Sequence, residues 1–281
     1  MAPSPHLLTD RAALERNRLR ALALPAPALF LQEQALDEVQ ERLSSVNRTF
    51  TDVAVAAAFP HLWRAAFPDA RIVADTPVLD LPPGGHDLVI HAMALHWADD
   101  PVGQLLQCRQ ALRPDGLFLG LFLGGQTLQE LRAALAEAEA EVTGGLSPRI
   151  LPMAEIRDAG GLLQRAGFAL PVADSFTHDV TYRDAFHLMS DLRAMGEGNA
   201  LANRLRRPTA RAVFLRAAEI YADTFSADAD RVHATFEVIC LTGWAPHGSQ
   251  QKPLRPGSAA QRLADILAAT EHRLPETPSD G

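Results

Sequence analysis

Hydrophobic positions along the chain fall into two rhythms that alternate with one another. Short runs rich in β-formers lie at residues 71–75, 87–91, 116–125, 169–182 and 233–244. They are too brief or too regularly alternating for buried helices, and they predict strands. Between them apolar residues recur at helical spacing. Val102, Leu105, Leu106 and Leu112 share one face of residues 99–112, and Leu128, Leu131, Leu135 and Ala138 share one face of residues 127–142. Further helices are predicted at 10–24, 32–44, 154–166, 184–195 and 207–225, the one at 154–166 closed by Gly167 just past its end. A strand that returns through a helix to another buried strand is a right-handed βαβ unit of a parallel sheet. The expected fold class is therefore α/β, a doubly wound and mostly parallel sheet. A helical leader occupies residues 1–50, the main domain 51–270 with a helical cap at about 183–230, and a polar, disordered tail 271–281.

The wording inside this frame is specific. LHWADD (95–100) is followed by LRPDG (112–116) and an apolar strand, which resembles the fourth and fifth strands of class I S-adenosylmethionine-dependent methyltransferases. Downstream, GGQTLQELRAALAEAE, GGLSPRILP, DLRAMGEGNAL and FEVICLTGWAPHGSQQKPLRPGSA resemble the C-terminal signatures of the methyltransferase-fold complex I assembly factors. That branch lies near the malonyl-carrier-protein methyltransferase of biotin synthesis. The likeness covers residues 10–260, and the later blocks are its most specific part. It implies S-adenosylmethionine as cofactor, with Asp75, His96 and Trp97 beside it, and a protein partner, a respiratory complex I subunit. In the eukaryotic relatives it implies modification of an arginine on such a subunit.

One stretch departs from that pattern. No glycine lies between Thr51 and Leu81, where the family keeps a glycine-rich loop that lets backbone N–H groups approach the cofactor. The interval from Asp52 to Ile90 is also too short for three βα units at roughly 30 residues per crossover. The sheet is expected to be contracted by about one βα unit. Asp75, in RIVAD, matches the segment between the third and fourth strands, next to the adenine, better than the ribose-binding acid that ends the second; the ribose acid is then missing.

Bulk properties narrow the function. The 281 residues carry a net charge of −8, which argues against a broad nucleic-acid-binding surface. Nearly all the basic residues are arginine, Lys252 being the single lysine, so Schiff-base chemistry has almost no candidate; this codon usage points to a GC-rich bacterial genome. Cys108 and Cys240 form no CxxC motif and read as buried hydrophobes in a reducing compartment. The apolar stretch 21–31 is broken by Pro25 and Pro27 and is too short to span a bilayer. A cytoplasmic location is expected.

His96 and Trp97 follow the fourth strand, at the edge where open α/β sheets bind ligands, though Trp97 is as well suited to packing under the next helix. His91 reads as a core histidine, and Asp99 and Asp100 as helix caps. No His/Cys/carboxylate set has metal-ligand spacing. Arg149 is placed to meet a carboxylate or a partner's acid. Arg193, Glu197 and Asn199 lie in a glycine-punctuated segment suited to a lid. Trp244, His247, Ser249, Gln250 and Arg255 form a cluster fit either to grip a protein segment or to brace the cap. Two functions remain open: a methyltransferase-family enzyme acting on a protein partner, and a non-catalytic assembly protein that has lost S-adenosylmethionine binding.

Overall fold

The computed structural model describes residues 7–250; of these, 7–247 cluster as one unit and 248–250 fall in another. The chain opens with α1 (Arg11–Leu22) and α2 (Phe30–Ser45), then β1 (Val53–Ala57), α3 (Pro60–Ala66), β2 (Arg71–Val73) and β3 (His86–Ala92). After a 3-10 turn at Leu95–Trp97 come α4 (Pro101–Ala111), β4 (Leu112–Leu123), α5 (Gln129–Thr143), α6 (Ile156–Arg165) and β5 (Ala169–Tyr182). The last elements are α7 (Ala185–Ala194), α8 (Arg211–Thr224), β6 (Ser226–Ala227) and β7 (Arg231–Trp244). Aspartates begin several helices as the sequence suggests: Asp10, Asp100 and Asp184 accept from the N–H groups of Ala13, Gly103 and His187 at 3.0, 2.8 and 2.7 Å.

Among the described residues the sheet has seven strands in the order β2-β1-β3-β4-β7-β5, with β6 paired to β7. Strands β1 to β4 are mutually parallel; β7 runs antiparallel to both β4 and β5, so β5 points the same way as β4. Strand β4 begins earlier than its apolar run. Pro114, Asp115 and Gly116 lie inside β4, where the pairing shifts register between His86 and Leu88, with Asp115 at φ 64°. The apolar faces of α4 and α6 cover one side of the sheet through Leu105, Cys108, Ala159 and Leu163. On the other side α2, α5 and α8 contribute Leu31, Val39, Leu131, Leu135, Val213 and Ile220. Both cysteines are buried and unbridged.

The contraction is present. One helix joins β1 to β2, but residues 74–85 between β2 and β3 contain none. A classic doubly wound sheet continues beyond its second strand. Here β2 is the edge, three residues long, beside β1. It thus fills the place of a second strand, not that of a third as the sequence match suggested, so Asp75, just past its end, stands where the ribose acid was expected to be missing. At the other end, α7 and α8 lie between β5 and β7 as the expected cap. The tail 271–281 lies outside the described residues.

Candidate functional site

Ligands of open α/β sheets bind beyond the carboxyl ends of the parallel strands, and in this chain that edge has two unlike sides. On the first, β1 runs out into Ala58, Phe59 and Pro60, and Pro60 starts a helix of only seven residues. Phe59 is wholly buried. Its ring packs toward the cap: a Cβ added to Gly196 would lie 3.2 Å from Phe59 Cζ and 3.1 Å from Arg18 Cα. Gly196, at φ 78°, meets both demands that select glycine, a left-handed backbone and a close approach.

Beside Phe59 the chain ends β2 and turns through Asp75, which is 4% exposed. The carboxylate meets Arg18 Nη1 at 2.7 Å and Arg11 at 3.3 Å, and Arg11 Nη2 also donates to the Asp75 carbonyl at 2.6 Å. Both arginines come from one face of α1, two turns apart. Burial favours the neutral acid, but Arg18 and then Arg11 outweigh it and hold the Asp75 carboxyl below its ordinary range. Nε and Nη2 of Arg18 are buried with no hydrogen-bond acceptor among the described residues.

The second side is hollow. A cavity of about 210 Å³ opens between the ends of β3 and β4 and the helices α5, α7 and α8. Leu123, Leu131, Leu135, Met189, Phe214 and Phe236 supply much of its wall. Its polar atoms come from Trp97, Arg149, Arg193, Glu197 and Asn199, so residues remote in sequence converge there. The backbone turns sharply after β3, with Met93 at φ 47°, and the 3-10 turn that follows points His96 and Trp97 toward the cap. Trp97 Nε1 donates to Glu197 Oε2 at 2.7 Å, and His96 Nε2 lies 3.3 Å from the same oxygen. Burial opposes ionisation of Glu197; His96, Arg18 and the indole N–H together prevail and keep its carboxyl below the usual value. At the rim, Arg149 grips Glu139 through Nε (3.0 Å) and Nη2 (2.6 Å) and donates from Nη1 to Thr209 at 3.0 Å. That fork, opposed by burial and helped by Ser147, holds Glu139 down at about 2. Asn199 ties the loop before α6 to the cap through the Pro148 carbonyl at 2.9 Å.

A methyltransferase domain model matches residues 34–120. Arginine-hydroxylase NDUFAF5, mitochondrial, of Danio rerio is 37% identical over 233 residues, covering 81% of this chain and 71% of that protein. The Rattus norvegicus protein of the same name is 39% identical over 241 residues, covering 84% and 67%. The chain belongs to the NDUFAF5 family. A malonyl-[acyl-carrier protein] O-methyltransferase of Xylella fastidiosa is also similar, at 36% identity over 186 residues, covering 66% of this chain and 60% of its own length.

Family membership makes S-adenosylmethionine the cofactor to test against these residues, and they do not fit it. The turn after β1 presents a buried phenylalanine and a proline where a glycine cradle would present N–H groups, and proline has none to give. Asp75, the acid assigned to the cofactor, is consumed by Arg18 and Arg11. The spare nitrogens of Arg18 suit a water or a small oxyanion; they supply no acceptor for a ribose diol. His96 and Trp97, also assigned to the cofactor, both meet Glu197, and Trp97 lines the cavity.

The substrate-side assignments divide. Arg149, Arg193 and Asn199 meet around one cavity. Arg149 is already paired inside the protein and so does not offer a free cation. Trp244 is elsewhere: it pairs in register with Leu117 and Ala169, at the start of β4 rather than its end. Strand β7 is antiparallel to β4, so its last residue lies at the opposite edge of the sheet from the cavity. There Trp244 is half-buried and packs on the core near Arg42 and Val46. His247 is exposed, Gln250 is the last described residue, and Arg255 lies outside the described residues. His91 is a core histidine bonded to Gln104 at 2.7 Å, and Asp99 accepts from the N–H groups of Leu8 and Thr9 at 2.7 and 2.9 Å instead of capping α4. No group of three metal-ligating side chains occurs among the described residues, and none of the helices there is long and apolar enough to cross a membrane.

Sequence reasoning missed Arg11, Arg18 and Glu139 altogether and gave Glu197 only a lid's role. The spacing of Arg11 and Arg18 on one helix face was the available signal for the pair that closes on Asp75.

Proposed function

We propose that this chain serves respiratory complex I assembly by holding a segment of a protein partner in the cavity beneath the cap, without S-adenosylmethionine. The observation that carries this reading is the contrast at the strand-end edge: protein side chains fill the cofactor side, while the cap side keeps an apolar cavity with an ionised carboxylate in its wall. The apolar lining offers dispersion and desolvation to a long side chain. Glu197 spends Oε2 on Trp97 and His96 and keeps Oε1 for an incoming donor. A guanidinium suits that oxygen, and the indole of Trp97 adds a cation–π face. The relatives named arginine-hydroxylase support arginine as the side chain presented. The site of action is cytoplasmic, where assembling subunits of a bacterial complex are accessible.

The test is membrane NADH:quinone activity in a bacterial strain lacking this chain and complemented with variants. Met189→Trp, which fills the cavity, should abolish rescue. The double replacement Arg18→Met with Asp75→Met, if folded, should restore it. Full rescue by the folded cavity variant together with failure of the double replacement would reverse the assignment and return the function to the cofactor side.

A further inference from the structure

The arginines near the cavity are mostly neutralised from within. Arg149 pairs with Glu139, Arg204 and Arg206 with Asp10, and Arg216 with Glu141 and Glu219. Three are not: Arg193 on α7, Arg211 at the start of α8 and Arg207 just before it are exposed and make no ion pair or side-chain hydrogen bond among the described residues. Arg193 and Arg211 border one surface hollow whose floor is Phe186, Met189, Phe214 and Leu215. Phe186 and Leu215 are each 44% exposed there, although both belong to helices with ample core on their other faces. Thr209 joins this hollow to the neighbouring one that contains Arg207. Met189, Arg193 and Phe214 line both the hollow and the inner cavity, so the two adjoin.

A basic, apolar groove on a chain of net charge −8 is a local reversal of sign, and such a reversal selects a partner of opposite charge. We infer that the α7–α8 groove is a docking surface for an acidic, apolar-anchored segment of a partner protein. A bulky hydrophobic side chain of that segment rests on Phe186 and Leu215, and its flanking carboxylates meet Arg193, Arg211 and Arg207. Docking there sets the adjoining residue of the partner at the mouth of the inner cavity. The inference rests on the partner-holding function proposed above and supplies the partner's chemistry. Arginines and aromatics are the side chains that most often dominate such contacts.

The experiment is fluorescence anisotropy on the full chain. The probe is a labelled synthetic helical peptide with leucine at positions i, i+3, i+4 and i+7 and glutamate elsewhere, compared with the same peptide carrying lysine for glutamate. The glutamate peptide should bind, and Arg193→Glu with Arg211→Glu should weaken it by about tenfold or more. Raising salt from about 50 to about 300 mM should weaken it as well, and Phe186→Ser should weaken it without changing the salt dependence. The milder Arg193→Gln with Arg211→Gln keeps the test open should the reversed variant misfold. Equal binding of the two peptides, no binding of either, or preference for phosphatidylglycerol vesicles over the glutamate peptide would overturn the inference. Complementation separates it from the function on which it rests. If folded groove variants rescue complex I activity while Met189→Trp does not, the groove inference fails and the partner-holding function stands; if Met189→Trp also rescues, both fail.

Discussion

The two sides of the strand-end edge are built from the same sheet and a few residues apart, yet one is closed and the other open. On the β1 side a phenylalanine, a proline and a buried Arg–Asp–Arg contact fill the ground before the strands. On the β4 side leucines and methionines stand back to leave a cavity, and its polar groups are anchored to one another without filling it. The difference teaches that a domain can keep a ligand-binding architecture while moving its working volume. The sheet supplies the edge; the turn after β1 and the cap decide which part of that edge is accessible.

The largest effect that would sharpen this contrast is expected from the closed side. Arg18→Met leaves the Asp75 carboxylate buried with only the longer contact to Arg11. Breaking one partner of a buried pair costs about 3–5 kcal/mol, so chemical denaturation should show a loss of roughly 4 kcal/mol. Replacing Asp75 as well should recover much of it. A single-variant loss below about 1 kcal/mol would mean that the pair does not seal the edge. Next comes Phe59→Ala, expected to cost about 3 kcal/mol by the cavity it leaves, again read from the unfolding midpoint. The reading of Phe59 as a plug breaks if the variant is as stable as the parent.

On the open side the expected effects are smaller. Glu139 titrates near 2 when folded, below its usual 4.5. A depressed carboxyl gives stability that is fully present above about 4.5 and is lost as pH falls toward 2. Glu139→Gln should therefore cost on the order of 2 kcal/mol at neutral pH, with the gap to the parent shrinking across that acid window in urea titrations. A gap independent of pH would show that the Arg149 fork does not anchor the cavity rim through charge. Trp97→Phe keeps the ring and removes the N–H that meets Glu197, so a loss of about 1–2 kcal/mol is expected. In the same variant the carboxyl of Glu197, followed by NMR titration, should rise; an unmoved value would detach Trp97 from the cavity's electrostatics.

Much of this fold is legible in residue order because strand and helix rhythms are local. The run 169–182 is the whole of β5, and Leu128, Leu131, Leu135 and Ala138 are buried. The lost βα unit is also legible, since it shows as a missing length of chain between Asp52 and Ile90. Helix α3 was not, because seven residues carry too few periods to declare a face. Pairings across the fold are harder still. Arg18 meets Asp75, and Trp97 meets Glu197, only once the cap and the leader close on the sheet, and nothing local encodes that meeting. Trp244 stands apart for a topological reason: its distinctive surroundings are plain in sequence, but the antiparallel course of β7 carries it to the edge of the sheet opposite the cavity.

The central claim, that the cofactor side is closed by the protein's own side chains, is tested most directly by calorimetric titration of the purified full chain with S-adenosylmethionine. No saturable heat should appear up to about 1 mM ligand, a ceiling on binding of roughly −4 kcal/mol. Saturable one-to-one binding at micromolar concentration would contradict the account, because it would require Phe59 and the Arg18–Asp75 contact to yield the space they hold.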